Sequence, residues 1–426
     1  ALFMARVLQE KYGKKKRRLY MCFVDLEKAF DRVPKKVIEW VLRKKGVNER
    51  LVRAVMQLYE GAKTKVKVGK GMSDAFSVKV GVHQGSVLSP FLFAIVMDVV
   101  CGDVMEGLLF EILYADDLVL MADSMEELQL KFDRWKSVIE KKGLKVNIGK
   151  TKVMVSGEGG DRVISRIDPC GVCDKRVKAN SVLCIGCQKW VHKRCSGVKG
   201  ALKKVEGMFK CKRCVKGVIN REEAKTGLSD GIERVESFVY LGDKLNADGG
   251  CLSAVTARVR VGWMKFRELS GVLCGRKWSV KMKGRVYKAC VRAAIVYGGE
   301  TWTVRKEEEG VLRRAERAMV RRMCGVKVKD RKSSMELMSM LGLSEDIVTL
   351  IRRSRLRWYG HVLRRIEGVG IRRALEFEVE GVTGRGRPRL GWREQVEKDR
   401  VKAGLRDVEA CDRCRWRRGV FWFHQG

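Results

Sequence analysis

Two adjacent aspartates lie between two short apolar runs in this sequence. Asp116 and Asp117 follow the run 110–113 and precede the run 118–121, which predicts a β-hairpin with both acids at its tip. Neighbouring carboxylates repel each other unless a cation lies close by, and Mg²⁺ is often held by one or two carboxylates. A plain surface turn, in which Asp is common, is the alternative that these residues leave open.

The segments around the hairpin predict alternating helices and short strands. The apolar run 19–24 predicts a buried strand that ends at a third carboxylate, Asp25. Helices are predicted at 1–12, 35–45, 49–59, 91–105 and 125–142, a hairpin at 64–68 and 76–80, and a strand at 145–155. A carboxylate at the end of a buried strand is well placed to join the pair at the hairpin tip.

The composition indicates a polyanionic partner. Lys and Arg number 90 against 51 Asp and Glu, a formal net charge of +39 that is spread along 426 residues. A single basic run is usually a solvated face, but an excess of this size favours nucleic acid. No apolar run reaches the roughly 18 residues of a transmembrane helix, and no signal peptide is visible. We therefore expect an intracellular protein without membrane contact, whose 15 cysteines serve as metal ligands and buried thiols.

Three segments around the acidic residues form an ordered set. They read Val24-Asp25-Leu26-Glu27-Lys28-Ala29-Phe30-Asp31, His83-Gln84-Gly85-Ser86-Val87-Leu88-Ser89-Pro90 and Tyr114-Ala115-Asp116-Asp117. In order and spacing they resemble motifs A, B and C of a polymerase palm, and specifically those of the reverse transcriptases of non-LTR (LINE-type) retrotransposons. Residues 143–152 resemble motif D, and residues 238–242 resemble motif E, the primer grip.

The resemblance implies a role for each matching residue. Asp25 and Asp116 would hold two Mg²⁺ ions, with Asp117 as the supporting acid, as in two-metal phosphoryl transfer. Phe30 would be the steric gate that disfavours a ribose 2′-hydroxyl and so selects dNTPs. The residues that would line the nucleotide and pyrophosphate positions are Gln84, Gly85 and Lys150.

A cluster of cysteines and one histidine lies between the segments that resemble motifs D and E. Its four pairs, in chain order, are Cys170 and Cys173, Cys184 and Cys187, His192 and Cys195, and Cys211 and Cys214. Pairs with two-residue gaps are a strong zinc signature, because each pair can grip one tetrahedral ion. The spacings resemble a PHD finger, whose cross-braced ligation would place one Zn²⁺ on the first and third pairs and a second on the other two.

The partner of this finger is left open among three possibilities. Most PHD fingers bind histone tails and offer acidic residues to them, whereas this segment is basic at Lys193, Arg194 and several further positions. We therefore expect contact with nucleic acid, with a purely structural insert as the next alternative and a histone tail disfavoured.

The C-terminal half is basic and predicted to be helical. Residues 286–302 resemble the region after the palm, where a helical thumb holds the primer–template duplex. Residues 312–323 place apolar side chains on one helix face and Arg on the other, and residues 352–365 repeat that pattern with aromatic residues. The segment from Arg385 to Pro388 resembles an AT-hook core, for which a flexible basic linker is the favoured alternative. Cys411 and Cys414 are half of a zinc knuckle at most.

Together these features predict an α+β fold in four regions. They are a right-hand polymerase palm with truncated fingers at 1–156, a PHD-like insert at 165–217, motif E with a helical thumb at 232–330, and a basic region at 331–426. The expected function is RNA-directed DNA synthesis, in the nucleus, from an RNA template, a DNA primer or target, and dNTPs. Because only 24 residues precede Asp25, the alternative is an inactive fragment that acts as a zinc-containing nucleic-acid-binding protein.

Overall fold

A computed structural model describes most of the chain. The described residues are 1–69, 71–83, 85–102, 104–105, 109–157, 170, 172–173, 181–184, 190–198, 200, 202, 209–215, 231–381 and 390–422. The chain divides into two compact units, the first formed by Ala1–Glu158 together with Gly227–Gly426 and the second by Gly159–Thr226. None of the described helices combines the length and the apolarity that crossing a lipid bilayer requires.

The described residues of the N-terminal part of the first unit form six helices and eight strands. The helices are α1 (Leu2–Lys14), α2 (Ala29–Arg32), α3 (Lys35–Lys44), α4 (Glu49–Tyr59), α5 (Leu88–Gly102) and α6 (Met125–Lys141). The strands are β1 (Leu19–Val24), β2 (Lys63–Thr64), β3 (Lys67–Val68), β4 (Gly71–Met72), β5 (Phe76–Ser77), β6 (Glu111–Tyr114), β7 (Asp117–Ala122) and β8 (Lys152–Ser156).

The second unit and the C-terminal part of the first unit follow. The second unit contains β9 (Ser181–Leu183), β10 (Trp190–His192), α7 (Lys193–Ser196) and α8 (Lys212–Val215). The first unit resumes with the strands β11 (Glu233–Arg234), β12 (Ser237–Tyr240) and β13 (Asp243–Asn246). Its remaining helices are α9 (Leu252–Glu268), α10 (Ser270–Leu273), α11 (Val280–Val286), a π-helical turn (Tyr287–Arg292), α12 (Ala293–Val296), α13 (Lys306–Cys324), α14 (Ser334–Met340), α15 (Ile347–Leu363), α16 (Gly370–Glu376), α17 (Trp392–Lys402) and α18 (Arg413–Trp422).

Local sequence signals explain where several helices begin. The side chain of Asn48 accepts a hydrogen bond from the Arg50 amide at the start of α4, and Ser124 accepts one from Glu127 at the start of α6. The long apolar helix α5 begins at Leu88, three residues before the predicted start. Pro90 is compatible with that start, since the first turn of a helix leaves its N–H groups without intrahelical acceptors.

A five-stranded sheet in the order β11-β8-β1-β7-β6 organises the first unit. The strand β1 is antiparallel to both β7 and β8, and β6 forms a hairpin with β7. Its alternating side chains divide between two cores: Cys22 and Val24 pack beneath the helices α3 to α6, whereas Met21 and Phe23 pack towards α1 and the β12–β13 hairpin. Because both faces are covered, β1 reads as a continuous apolar run.

The helices after β13 form a separate core of the same unit. This core runs from Cys251 to Ile351. It therefore includes residues on both sides of position 330, where the sequence analysis ends the thumb region and begins the basic region. Buried ion pairs accompany the apolar packing: Arg292 binds Glu316 at 2.8 Å, and Arg6 of α1 binds Asp243 of β13 at 2.9 Å. The Asp243 carboxylate also accepts a hydrogen bond from Trp302 at 2.8 Å, which satisfies the buried charge.

The second unit has a small core of its own. Its described part holds the two-stranded sheet β9–β10 and a cluster of buried residues that includes Val182, Val191, Phe209 and three of the cysteines. Every described cysteine of the chain is free.

Candidate functional site

The predicted acidic hairpin is present. Tyr114 of β6 pairs with Asp117 of β7, so Ala115 and Asp116 form a two-residue turn at the tip. Ala115 has a φ of +56°, a left-handed conformation that costs a residue with a Cβ roughly 1–2 kcal/mol. The turn leaves Asp116 exposed and sets Asp117 half-buried at the start of a strand.

The sheet register brings Asp25 beside this hairpin. Val24 pairs with Leu118, so the next position along β1 lies across from Asp117. Two further hydrogen bonds fix the Asp25 backbone: the Asn147 N–H donates to its carbonyl at 2.8 Å, and the Thr151 hydroxyl accepts from its N–H at 3.3 Å.

The turn that carries Asn147 and Thr151 corrects the predicted strand at 145–155. Thr151 donates from its amide and from its hydroxyl to the Asn147 carbonyl, at 2.9 and 2.8 Å, and the Asn147 side chain accepts from the Lys150 amide. These local bonds take up backbone groups that a strand would use, and β8 therefore begins only at Lys152. The prediction that a strand begins at 145 was wrong for that reason.

The electrostatics of the acidic groups reflect their proximity. Burial raises the pKa of Asp25, an effect that the Lys150 ammonium opposes and the Asp116 carboxylate reinforces. Burial also raises the pKa of Asp117, with smaller contributions from Asp116 and Asp25. The Oδ2 atom of Asp25 is buried and accepts no hydrogen bond from the described residues, which leaves it available to a cation.

The three carboxylates do not converge completely. Their oxygen atoms do not form a group of three within 4.8 Å of one another, a spacing that the cysteine clusters described below do meet. Like-charge repulsion favours this more open arrangement of the acids.

The loop after β5 docks against the segment that follows Asp25. The Val82 amide donates to the Phe30 carbonyl at 2.8 Å, and the Phe30 ring stacks on Phe93 of α5 with a centroid distance of 4.4 Å. Gly85 is exposed with a φ of +87°, and a Cβ at this position would meet no described atom within 4 Å. Gln84 lies outside the described residues. The structure thus brings Phe30 and the beginning of the predicted nucleotide loop together.

Tyr240 lies close to the acidic site and was not singled out from the sequence. Its side chain is 2% exposed, and its hydroxyl has no hydrogen-bond partner among the described residues. Burial raises the pKa of Tyr240, and Asp117 adds to the rise. The sequence marks Tyr240 only as part of the motif E segment, because only the fold shows that β12 lies against Phe23.

The turn after Tyr240 is held by the helical region. Leu241 and Gly242 both have positive φ, +48° and +75°, as a tight hairpin turn requires. The Tyr297 hydroxyl donates to the Leu241 carbonyl at 2.9 Å, and Arg258 donates to the Gly242 carbonyl. The β12–β13 hairpin is therefore fixed both to the sheet and to the helices that follow it.

In the second unit, Cys170, Cys173, His192 and Cys195 form one cluster, with ligand atoms within 4.8 Å of one another. His192 Nδ1 lies 3.5 Å from the Cys173 sulfur and 3.8 Å from the Cys195 sulfur. Burial would raise the pKa of the Cys170 thiol, but hydrogen bonds from three backbone N–H groups lower it to about 6. A thiol that loses its proton this readily suits metal binding.

The second cluster contains Cys184, Cys211 and Cys214. The Cys214 sulfur lies 3.5 Å from that of Cys184 and 3.4 Å from that of Cys211. Two thiolates that each lie about 2.3 Å from a tetrahedral Zn²⁺ are roughly 3.8 Å apart, so both clusters have dimensions suited to zinc. Cys187, the fourth ligand expected here, lies outside the described residues.

Other sequence features have simpler outcomes. Glu27, near Asp25 in sequence, pairs with Arg32 at 3.0 Å and with Lys145 at 3.5 Å. Cys411 and Cys414 are exposed and belong to no ligand cluster among the described residues. The AT-hook-like segment lies outside the described residues.

Comparisons with known proteins agree on one family. Residues 3–242, more than half of the chain, match the family described as reverse transcriptase (RNA-dependent DNA polymerase). A retrovirus-related Pol polyprotein from a type-1 retrotransposable element R2 of Nasonia vitripennis is 34% identical over 136 residues, which are 30% of this chain and 13% of the relative.

Two further relatives give a similar result. The Pol polyprotein of the type-2 element R2DM of Drosophila melanogaster is 33% identical over 142 residues, 32% of this chain and 13% of the relative. The RNA-directed DNA polymerase from mobile element jockey of Drosophila funebris is 29% identical over 141 residues, 30% of this chain and 15% of the relative. The chain thus aligns with about an eighth of the length of each R2 relative.

Proposed function

This chain belongs to the reverse transcriptase family, and we propose that it is an RNA-directed DNA polymerase of a non-LTR retrotransposon. It would transfer a nucleotide from a dNTP to the 3′-hydroxyl of a primer paired with an RNA template. The observation that carries the proposal is the buried, unpartnered Oδ2 of Asp25 beside the Asp116–Asp117 hairpin. In this family the surrounding sheet and helices correspond to the palm.

The residues at the hairpin fit divalent metal ions. Asp25 and Asp116 would hold two Mg²⁺ ions, and Asp117 would support them from the start of β7. When bound, Mg²⁺ would promote loss of the primer hydroxyl proton and stabilise the charge of the leaving pyrophosphate. Hard oxygen ligands suit this ion. Burial raises the pKa of Asp25 and Asp117 and mutual repulsion adds to the rise, and a nearby dication would oppose both effects.

Neighbouring side chains would position the substrate. Phe30, held by its stack on Phe93, would present a rigid ring to the sugar and exclude a 2′-hydroxyl. Gly85 would allow close approach of the nucleotide to the backbone. Lys150, whose positive charge already reaches Asp25, would face the pyrophosphate.

For the second unit we propose a PHD-like finger that holds two structural Zn²⁺ ions. Cys170, Cys173, His192 and Cys195 would bind one ion, and Cys184, Cys187, Cys211 and Cys214 the other. The sulfur and nitrogen spacings described above support this pairing. Its partner would be nucleic acid, because Lys193 and Arg194 follow the ligand His192 directly; binding to histone peptides but not to RNA would contradict this part.

Primer extension tests the polymerase. With an RNA template and a DNA primer, Asp116→Asn or Asp25→Asn should reduce Mg²⁺-dependent extension to background, because an amide binds a divalent cation poorly. The matched control is Asp133→Asn, which removes an exposed carboxylate from α6 and should leave extension unchanged.

Equal extension by wild type and by Asp116→Asn would exclude a role for the hairpin. Absence of extension by the wild-type chain, together with retained RNA binding, would favour the alternative of a zinc-containing nucleic-acid-binding protein.

A further inference from the structure

Five arginines converge on a cleft between α15 and α18. The cleft encloses about 500 Å³. Its arginines are Arg353, Arg357, Arg364, Arg413 and Arg417. Its apolar wall consists of Trp416, Val420 and Phe421. None of these residues belongs to the acidic hairpin or to the cysteine clusters.

Other arginines of α15 have a structural role. Arg355 is fully buried and forms an ion pair with Asp399 of α17, and Arg352 binds Glu309 of α13. Each guanidinium is thus neutralised by an acid on a neighbouring helix. These pairs show that the arginines buried between helices of this region have a carboxylate partner.

The arginines of the cleft are neutralised far less. Arg353 binds Glu345, whose charge also reaches Arg357. Arg357 donates to the Ser354 hydroxyl, and Arg364 donates to the Ala410 carbonyl, both neutral acceptors.

On α18, Arg413 and Arg417 are exposed, and no carboxylate of the described residues forms an ion pair with either. Among the described carboxylates, Glu345 alone forms an ion pair with one of the five cleft arginines.

Burial and neighbouring positive charges both lower the pKa of two cleft arginines. Burial lowers the pKa of Arg357, and Arg353 lowers it further. Burial and Arg413 have the same effect on Arg364. An anion in the cleft would relieve this repulsion.

We propose that the cleft binds the phosphates of a single-stranded nucleic acid. Guanidinium groups recognise phosphate oxygens with two parallel hydrogen bonds. The wall adds an aromatic surface, because Phe421 is 60% exposed, and a base can stack on such a ring. Basic side chains beside a stacking surface are typical of single-strand binding sites.

The shape of the site favours a single strand over a duplex. In a cleft of this volume the phosphates and an adjoining base of one strand can enter together, whereas in a duplex the bases are stacked inside and unavailable to Phe421. Phosphates and bases are common to RNA and DNA, and measuring the binding of both strands distinguishes them. This site goes beyond the proposed polymerase and does not depend on it.

The test measures binding to the full chain without dNTP or Mg²⁺, so that it is independent of catalysis. The ligands are fluorescent 20-nucleotide single-stranded RNA and DNA of one sequence and the corresponding duplexes. The double variant Arg413→Gln/Arg417→Gln should weaken binding of at least one single strand about tenfold near physiological salt. It should also reduce the slope of log K against log salt by about 1.4, because each lost phosphate contact contributes roughly 0.7.

The matched control is Arg415→Gln/Arg418→Gln, which removes two exposed arginines of the same helix that do not line the cleft. It should change the affinity less than threefold. Ultraviolet crosslinking should attach the strand to the peptide that contains residues 413–422 in the wild type and less so in the cleft variant.

The single strand, RNA or DNA, whose affinity falls more in the cleft variant is the one that the cleft binds. Equal losses in the two double variants would overturn the proposal, since they would indicate general basicity. An unchanged affinity of the cleft variant, or an equal loss for the duplexes, would overturn it as well.

Discussion

The acidic hairpin and the cysteine clusters are both candidate metal sites, but the chain builds them in different ways. The carboxylates stand at the ends of strands in a sheet whose two faces are covered by large apolar cores. The described cysteines stand in short segments, and the described part of their core holds few apolar residues, such as Val182 and Val191. The first site is therefore formed by the fold, whereas the second would be formed largely by its ions.

The two candidate metal sites also differ in how closely their side chains approach one another without a metal ion. At the hairpin, Asp25 and Asp117 repel each other and are not drawn into a tight group. In each cysteine cluster of the second unit, the candidate ligand atoms lie within 4.8 Å of one another. This contrast predicts that loss of a metal ligand has opposite consequences for the stability of the two units.

Zinc removal should have the largest effect. Structural zinc sites contribute about 10–16 kcal/mol of apparent binding free energy, which is also folding free energy. A strong chelator, or Cys184→Ala together with Cys195→Ala, should therefore unfold the second unit. Hydrogen exchange should show loss of protection at 181–183 and 190–196 and unchanged protection in β1 and β7.

The matched control for this experiment is Cys290→Ala, an exposed thiol of the first unit, which should leave zinc content and exchange unchanged. Elemental analysis should find two zinc ions per wild-type chain. Retained amide protection in the second unit after complete zinc removal would contradict the comparison.

Short-range patterns in the sequence predicted several of the residues that the structure brings together at the two candidate sites. Adjacent acids between apolar runs gave the hairpin, which the structure places at Glu111–Tyr114 and Asp117–Ala122. Pairs of cysteines with two-residue gaps marked the candidate ligands, and the resemblance to a PHD finger implied their division into two clusters, which the structure shows apart from Cys187. These signals are local, because each lies within about ten residues, and local periodicity is what sequence reading detects.

Features that depend on distant segments were not predicted. Thr151 supports Asp25 across 126 positions, and Tyr240 reaches the site only because β12 packs against β1. The arginine cleft joins residues of α15 and α18, whose helix faces cannot be matched before the packing is known. The strand predicted at 145–155 begins only at Lys152, because hydrogen bonds to Asn147 take up backbone groups of the preceding residues.

The second prediction concerns the support of Asp25. Thr151→Val keeps the side-chain shape but removes the hydroxyl, which leaves the Asp25 N–H without its acceptor. Thr151 is fully buried, so thermal unfolding should show a loss of about 1–3 kcal/mol. Primer extension should show a lower kcat with little change in the KM for dNTP.

Thr151→Ser is the control, since it retains the hydroxyl, and it should restore most of the kcat. A similar loss in both variants would indicate that packing of the methyl group, rather than the hydrogen bond, supports the site.

The third and smallest effect separates stability from activity at the hairpin. The raised pKa of Asp117 means that the folded state favours the neutral acid. Its contribution to stability therefore falls as the pH rises through the unfolded value of 3.8 towards the raised folded value. In metal-free protein at neutral pH, Asp117→Asn should stabilise the first unit by about 0.5 kcal/mol, a small figure because solvent screens a carboxylate that is partly exposed.

The pH dependence gives this prediction its sign. Below pH 3.8 both proteins carry a neutral group at position 117, and their unfolding free energies should coincide. As the pH rises, the variant should become the more stable protein. Its primer extension should nevertheless be lost, because Asp117 supports the metal ions. Added Mg²⁺ should reverse the order, because it binds the folded wild type preferentially and the variant weakly. A variant that is less stable than the wild type at neutral pH without metal would show that the hairpin, like the cysteine clusters, is held together by its ligands.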